Sequence, residues 1–284
     1  MKSGADLSSR RTAWDRFESG LAGKKKLELR VLLLAAHPDD ETIGASSVMN
    51  RIADVSVVFL TDGAPRDPRF WSPDARGTRA DYAQMRWNEA TAAMALVNVP
   101  PERMLCLGGV DQDAINNVPV LVRRFVELLR ELPPDIVVTH PYEGGHPDHD
   151  TAALVVHLAA KTAVRGGQPP AIVEMTSYHL RDSRCVTGEF LPANSSAPEL
   201  VIELSPEEQA IKKKMIECHR SQRLVLEEFP LSAERFRLAP EYDFARPPHP
   251  GKLWYECLHW PLTGERWREL AVQAVAQMGG AACA

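Results

Sequence analysis

No stretch of the 284 residues approaches the ~20 consecutive apolar positions that a membrane-spanning helix needs. Cysteine is scarce and poorly spaced for structural use. There are five, an odd number, and no two form a Cys-x-x-Cys pair. That pattern argues against a disulfide scaffold and against a cysteine zinc site. A basic excess is missing too. Lys and Arg number 33 against 38 Asp and Glu, a net charge of −5, which argues against a nucleic-acid partner. The first thirty residues carry Arg10, Arg11 and Lys24 to Lys26 with no apolar run between them, so no signal peptide is read there and a reducing cytoplasm is the expected compartment. Gly-x-Ser-x-Gly, the phosphate-binding Gly-x-x-x-x-Gly-Lys and the dinucleotide Gly-x-Gly-x-x-Gly are all missing, as are internal repeats and low-complexity tracts.

What is present is ordinary globular composition, 44% hydrophobic and 25% charged, in a chain long enough to bury a core without staples. Apolar runs at Leu27–Ala36, Val55–Thr61, Arg103–Leu107 and Ile136–His140 read as buried strands, with weaker candidates at Ala171–Tyr178 and Leu200–Leu204. Helical periodicity fills 41–53, 78–97, 118–132 and 149–163 between and after them. Trp14, Phe17 and Leu21 suggest a further helix over 9–22. Ser205-Pro206-Glu207-Glu208 is a capping box that starts a helix running to about 225, and a last helix fits 263–277. Strand–helix alternation with near-continuous apolar strands predicts an α/β, Rossmann-like three-layer fold: a mostly parallel sheet with helices on both faces. Such a sheet places its ligand site in the loops beyond the carboxyl ends of its strands. The segments 62–77 and 227–251 are rich in proline and aromatics and read as long ordered loops around that site. One domain over 1–284 is expected, with a core at about 28–225 and an extension at 226–284 that contributes loops.

Two clusters carry chemistry. Ala36-His37-Pro38-Asp39-Asp40-Glu41 follows the first strand, and Gly144-Gly145-His146-Pro147-Asp148-His149 follows the strand that ends at His140. Imidazole and carboxylate suit a divalent metal such as zinc, and proline fixes the direction of each turn. Asp39, between His37 and Asp40, is free to act on a water at the metal. Either cluster alone also reads as a turn whose aspartate caps the next helix. Both together, each at the mouth of an apolar strand, point to one joint metal site.

The two motifs resemble those of the LmbE-like, or PIG-L, family of zinc-dependent N-acetylglucosaminyl de-N-acetylases. Ala-His-Pro-Asp-Asp-Glu stands in full at 36–41, and Gly-His-Pro-Asp-His at 145–149. Thr61-Asp62-Gly63, Arg86-x-x-Glu89 and His219-x-Ser221-Gln222 are supporting matches. The resemblance covers roughly 28–225. It implies that His37, Asp40 and His149 bind zinc, that Asp39 is the general base, and that His146 stabilises the oxyanion or protonates the leaving amine. Asp148 would orient and tune a catalytic histidine. Iron(II) fits the same ligands. The implied activity is removal of an N-acetyl or other acyl group from an amino sugar or glycoconjugate by attack of a zinc-bound water.

The implied partner is thus a small-molecule amide, simplest as an N-acetylated sugar, and a homo-oligomer is compatible with the chain. Two alternatives stay open: an amidase of the same mechanism acting on a non-sugar natural product or a larger conjugate, and a non-catalytic binding module. Arg86 is a candidate for substrate hydroxyls or phosphate, against an ion pair with Glu89 or Glu102. Asp62 is a candidate for substrate, against closure of a turn with Gly63. In some family members a tyrosine just before the second motif gates the site. Tyr142, four positions before His146, is the candidate here, against ordinary loop packing. Trp71, Trp254 and Tyr255 offer stacking surfaces for a sugar, against ordinary packing.

Overall fold

The computed structural model describes residues 4–23, 27–163, 169–192, 198–258 and 260–280. Lys24 to Lys26 and Cys283 lie outside the described residues, and the four described cysteines are free thiols. Strand β1 (Leu27–Ala35) shows how the architecture follows from sequence. Side chains alternate across a strand. Val31, Leu33 and Ala35 enter one core with Trp14 and Phe17. Leu32, Leu34 and Ala36 enter the other with Phe125 and Trp267. Both faces are buried, so the strand reads as an unbroken apolar run.

Around β1 the chain lays down β2 (Ile52–Thr61), β3 (Met104–Gly109), β4 (Ile136–Thr139), β5 (Ala171–Met175), β8 (Leu200–Glu203) and β9 (Ala233–Leu238). The seven-stranded order is β3-β2-β1-β4-β5-β9-β8. The first five strands run parallel, while β9 is antiparallel to both β5 and β8. Helices α1 (Gly4–Ala22), α2 (Asp40–Arg51), α3 (Arg79–Ala95) and α6 (Pro206–Cys218) cover one face. The other face is covered by α4 (Val118–Glu131), α5 (Pro147–Ala163) and α9 (Gly264–Gly280). The strand order reverses between β1 and β4, and there the carboxyl ends of neighbouring strands diverge to form a crevice. The two His-Pro-Asp motifs lie at the ends of those two strands. The expected three-layer, mostly parallel α/β fold is therefore the observed one.

Three elements differ from the expectation. The segment 227–251 is not loop throughout, because its residues Ala233–Leu238 form β9 inside the sheet. The capped helix stops at Cys218, and a 3-10 turn at Arg220–Gln222 leads into the short α7 (Arg223–Leu226). The expected strand 171–178 breaks after Met175, and Tyr178–Arg181 (β6) pairs instead with Arg184–Thr187 (β7) as a separate hairpin. The loop 62–77 holds one 3-10 turn at Pro68–Phe70, and a short α8 (Trp254–Cys257) precedes α9. Among the described residues, no helix is long and apolar enough to cross a membrane.

Candidate metal centre and active site

The first motif is folded by its own carboxylates. After β1 ends, the Asp40 carboxylate accepts the backbone N–H of His37 at 2.8 Å, and the Glu41 carboxylate accepts that of Asp39 at 3.0 Å. This brings the Asp40 and His37 side chains together at the start of α2, with His37 Nδ1 3.2 Å from Asp40 Oδ2. His149, on the first turn of α5, places Nε2 3.2 Å from Asp40 Oδ1. All three are buried.

His37 stands among carboxylates: Nε2 faces Asp148 Oδ2 at 3.3 Å and Asp111 Oδ1 at 3.2 Å, Nδ1 faces Asp40, and these partners raise its pKa against the effect of burial. A metal at Nδ1 would leave the ring's proton on Nε2, between Asp148 and Asp111. His149 Nδ1 meets Ser177 Oγ at 3.2 Å, while its Nε2 is buried without a hydrogen-bond partner. Both imidazoles thus face the Asp40 carboxylate, His37 also groups compactly with His146 and His149, and the orphaned Nε2 atom of His149 is what a metal would satisfy. The donor set fits zinc, with a coordination position left for water or substrate. His140, Asp40 and His149 also form a compact donor group, with the His140 ring stacked on His149 at 4.0 Å. The His140 Nε2 atom, however, is engaged by the Ala36 N–H at 3.0 Å.

Asp39 sits beside the donors. Its Oδ2 accepts from Arg86 Nη2 at 2.6 Å, and the same guanidinium donates to the Gly63 and Pro38 carbonyls. Burial pushes the Asp39 carboxyl up to about 7, against the pull of Arg86. Arg86 therefore pairs with neither Glu89 nor Glu102. Glu89 instead accepts from the backbone and hydroxyl of Ser221, which accounts for the His219-x-Ser221-Gln222 match. Gly63 explains the Thr-Asp-Gly turn. Its φ is +66°, and a Cβ there would lie 2.8 Å from the Pro38 ring and 2.9 Å from the Arg86 guanidinium.

His146 accepts the Asp148 backbone N–H on Nδ1 at 3.0 Å, so the neutral ring carries its proton on Nε2. That edge faces Asp111 Oδ1 at 3.8 Å. Burial, with His37 and His149 adding to it, holds His146 well below its ordinary pKa. Burial thus favours the neutral ring, with Nε2–H as its donor. The Asp148 carboxylate accepts from Gln112 N at 2.6 Å and from Ala114 N at 3.3 Å, and it meets the His37 ring rather than that of His146.

Two expected substrate contacts lie elsewhere. Asp62 binds Arg79 at 2.7 Å and accepts the Ala64 N–H, closing its own turn, and it does not line the cavity. Tyr142 is buried among Tyr242, Phe244 and Trp267, and its hydroxyl donates to the Arg246 carbonyl. Its observed place is packing against Trp267 of α9. Trp71 packs tilted against Tyr82, Tyr255 is buried outside the cavity, and Trp254 does line it.

One site residue, Asp111, lies in neither motif. It follows β3, is buried, and its Oδ1 lies 3.2 Å from His37 Nε2 and 3.8 Å from His146 Nε2. The rule that drew attention to the ends of β1 and β4 applies equally to the end of β3.

The loop before α5 depends on a close approach. A Cβ on Gly145 would stand 1.9 Å from the Tyr178 carbonyl oxygen. Gly145→Ala is expected to shift His146 and His149 and to lower kcat/KM by about 100-fold, the effect of an ångström-scale misplacement. Bound metal measured by elemental analysis should fall in parallel.

Fold and site together define a doubly wound α/β protein with a buried His–Asp cluster that could hold a metal at the switch point of its sheet. Residues 32–160 match the PIG-L family model, described as GlcNAc-PI de-N-acetylase. Similar curated proteins are two 1D-myo-inositol 2-acetamido-2-deoxy-alpha-D-glucopyranoside deacetylases. One, from Saccharopolyspora erythraea, is 30% identical over 62% of this chain and 65% of its own length. The other, from Catenulispora acidiphila, is 32% identical over 50% of this chain and 54% of its own. The matches thus span about half to two thirds of those relatives. N,N'-diacetylchitobiose deacetylase from Pyrococcus horikoshii shares the fold, with a TM-score of 0.54 at 19% identity, covering 84% of this chain and 94% of that one.

Proposed function

We propose that the protein is a zinc-dependent hydrolase that removes an N-acyl group, most simply acetyl, from an amino sugar or glycoconjugate. The observation that carries this reading is that His37 Nδ1 and His149 Nε2 both face the Asp40 carboxylate at 3.2 Å, with Asp39 and His146 lining the same cavity. The names of the similar proteins support it. A divalent metal held by the three donors would polarise the amide carbonyl and make water acidic enough to ionise near neutral pH. Iron(II) would serve the same ligands.

The chain's own groups divide the rest. Asp39 takes a proton from the attacking water, and Arg86 fixes the carboxylate that receives it. As water's oxygen bonds to the carbonyl carbon, the His146 Nε2–H donates to the developing negative oxygen. When the C–N bond breaks, the leaving nitrogen takes a proton from the Asp39–His146 pair, and water is consumed to give a carboxylic acid and an amine. Asp148 is a positioning residue that orients His37. The 226–284 extension belongs to the same catalytic domain in this reading, because β9 lies within the sheet and α9 packs against α4 and α5.

The test is amine release from N-acetylglucosamine-containing amides, followed by fluorescamine. Dialysis against a chelator should abolish release, and added Zn2+ or Fe2+ should restore it. Metal-loaded protein that releases no amine from any N-acylated sugar would overturn the reading.

A further inference from the structure

The turn that carries His146 is held in two ways. From within, Asp150 Oδ1 accepts the N–H groups of Glu143 and Gly144 at 3.2 and 3.0 Å. Asp150 rides on α5 beside His149, so this contact ties the turn to its own helix. The tie to the sheet is the Glu143 side chain, which is buried and enters a charged cluster built on β5 and β9.

Glu174 of β5 and Arg237 of β9 stand directly opposite each other in the antiparallel register. Arg237 Nε donates to Glu174 Oε2 at 2.7 Å, and its Nη2 donates to Glu143 Oε1 at 3.0 Å. The Tyr242 hydroxyl donates to Glu174 Oε1 at 2.5 Å, and the Phe190 ring centre lies 4.0 Å from Arg237 Cζ. Glu143 Oε1 also accepts the Leu191 N–H at 2.9 Å. A buried ion cluster of this kind is a weak source of net stability, because desolvation offsets most of the attraction. What it supplies is direction: a planar guanidinium holds two carboxylates at fixed angles. A group tied to strands is also held more precisely than one left on a loop.

From this cluster we infer that Glu143, anchored to the sheet by Arg237, is a positioning residue that sets the direction in which His146 presents its Nε2–H. The chemistry of that N–H rests on the hydrolase reading, and the test separates the two. Glu143→Ala cuts the tie without stranding the guanidinium, which keeps Glu174. Its kcat on N-acetylglucosamine-containing amides should fall by about 100-fold, the effect of an ångström-scale misplacement. KM and bound metal should stay near wild type, because the His146 contact to the oxyanion forms only in the transition state. Glu143→Gln keeps an acceptor for Arg237 and Leu191 and should recover most of the loss. In a His146→Ala background, Glu143→Ala should cost almost nothing further, since the group it positions is gone. Arg237→Lys enters the same cycle as a second variant, because an ammonium cannot hold both carboxylates in the directions of the guanidinium.

The ring of His146 is followed separately by NMR of protein carrying labelled histidine, with no substrate present. Its signals, assigned by their loss in His146→Ala, should move in Glu143→Ala and return in Glu143→Gln. Wild-type kcat in Glu143→Ala with unmoved ring signals overturns the inference and leaves amide hydrolysis standing, with Asp150 sufficient to hold the turn. An equal loss of kcat with and without His146, or a loss of bound metal, overturns it as well, because the tie would then act on the fold at large or on His149. Ring signals that move in protein releasing no amine from any amide keep the positioning contact and overturn the hydrolase reading.

Discussion

Replacing Asp39 with asparagine is expected to lower kcat by about 10²–10⁴-fold while leaving the bound metal and the fold in place. Asparagine keeps the shape of the side chain and an acceptor oxygen for Arg86, but it cannot take a proton. Arg86 is not stranded, because its guanidinium also donates to the Gly63 and Pro38 carbonyls. Folding should therefore survive, which circular dichroism and thermal melting would show. The contrast is with His37→Ala and His149→Ala, which remove donors and should lose metal as well as turnover. Metal content by elemental analysis separates the two classes. An Asp39→Asn protein within tenfold of wild-type kcat would show that the proton goes elsewhere, with Asp111 the next carboxylate in line, 3.2 Å from His37.

Much of this site was legible because local chemistry and topology agree. The run Leu27–Ala35 reads as a strand buried on both faces, and the two motifs read as donors at strand ends. A parallel sheet then has little choice but to bring 37–41 and 146–149 together. What escaped reading depends on partners distant in sequence. Ala233–Leu238 carries Glu234, Arg235 and Arg237, which disguise a strand. Glu234 and Arg237 are buried because Lys212, and Glu174 with Glu143, neutralise them across the fold. Asp111 belongs to no motif and gains meaning only beside His37. Tyr142 had a suggestive position in sequence, but Trp267, 125 residues further on, supplies the ring it packs against. Periodicity and spacing describe neighbours along the chain, and these residues act through neighbours across it.

The largest loss of stability is expected from Glu234→Ala. Helix α2, which begins at Asp40, is interrupted at Ala45, where φ is −147° and ψ is 29°. That interruption frees the N–H groups of Ser46 and Ser47, and Glu234 on β9 accepts both at 2.9 Å together with the two serine hydroxyls. It acts as a helix cap delivered from another element, which is a physical cause for the kink. Lys212 closes the cluster, donating to Glu234 at 2.9 Å and to the Ile43 carbonyl at 2.7 Å. Removing the carboxylate leaves a buried cation and two buried N–H groups unpaired, a loss of about 3–5 kcal/mol readable as a lower denaturant midpoint. Lys212→Met should cost less, because the carboxylate keeps four hydrogen bonds from the serines. Burial raises the Glu234 pKa, but Lys212 and the serines outweigh it and hold the net value below the ordinary one. A depressed folded-state pKa means stability that is present above the ordinary glutamate range and lost as pH falls through the folded value. Wild type should therefore lose this increment in acid, while Glu234→Ala lacks it at every pH, so the two unfolding curves converge as pH drops. If Lys212→Met proved as costly as Glu234→Ala, the ion pair and not the capping of α2 would be the main contribution, and the kink would need another cause.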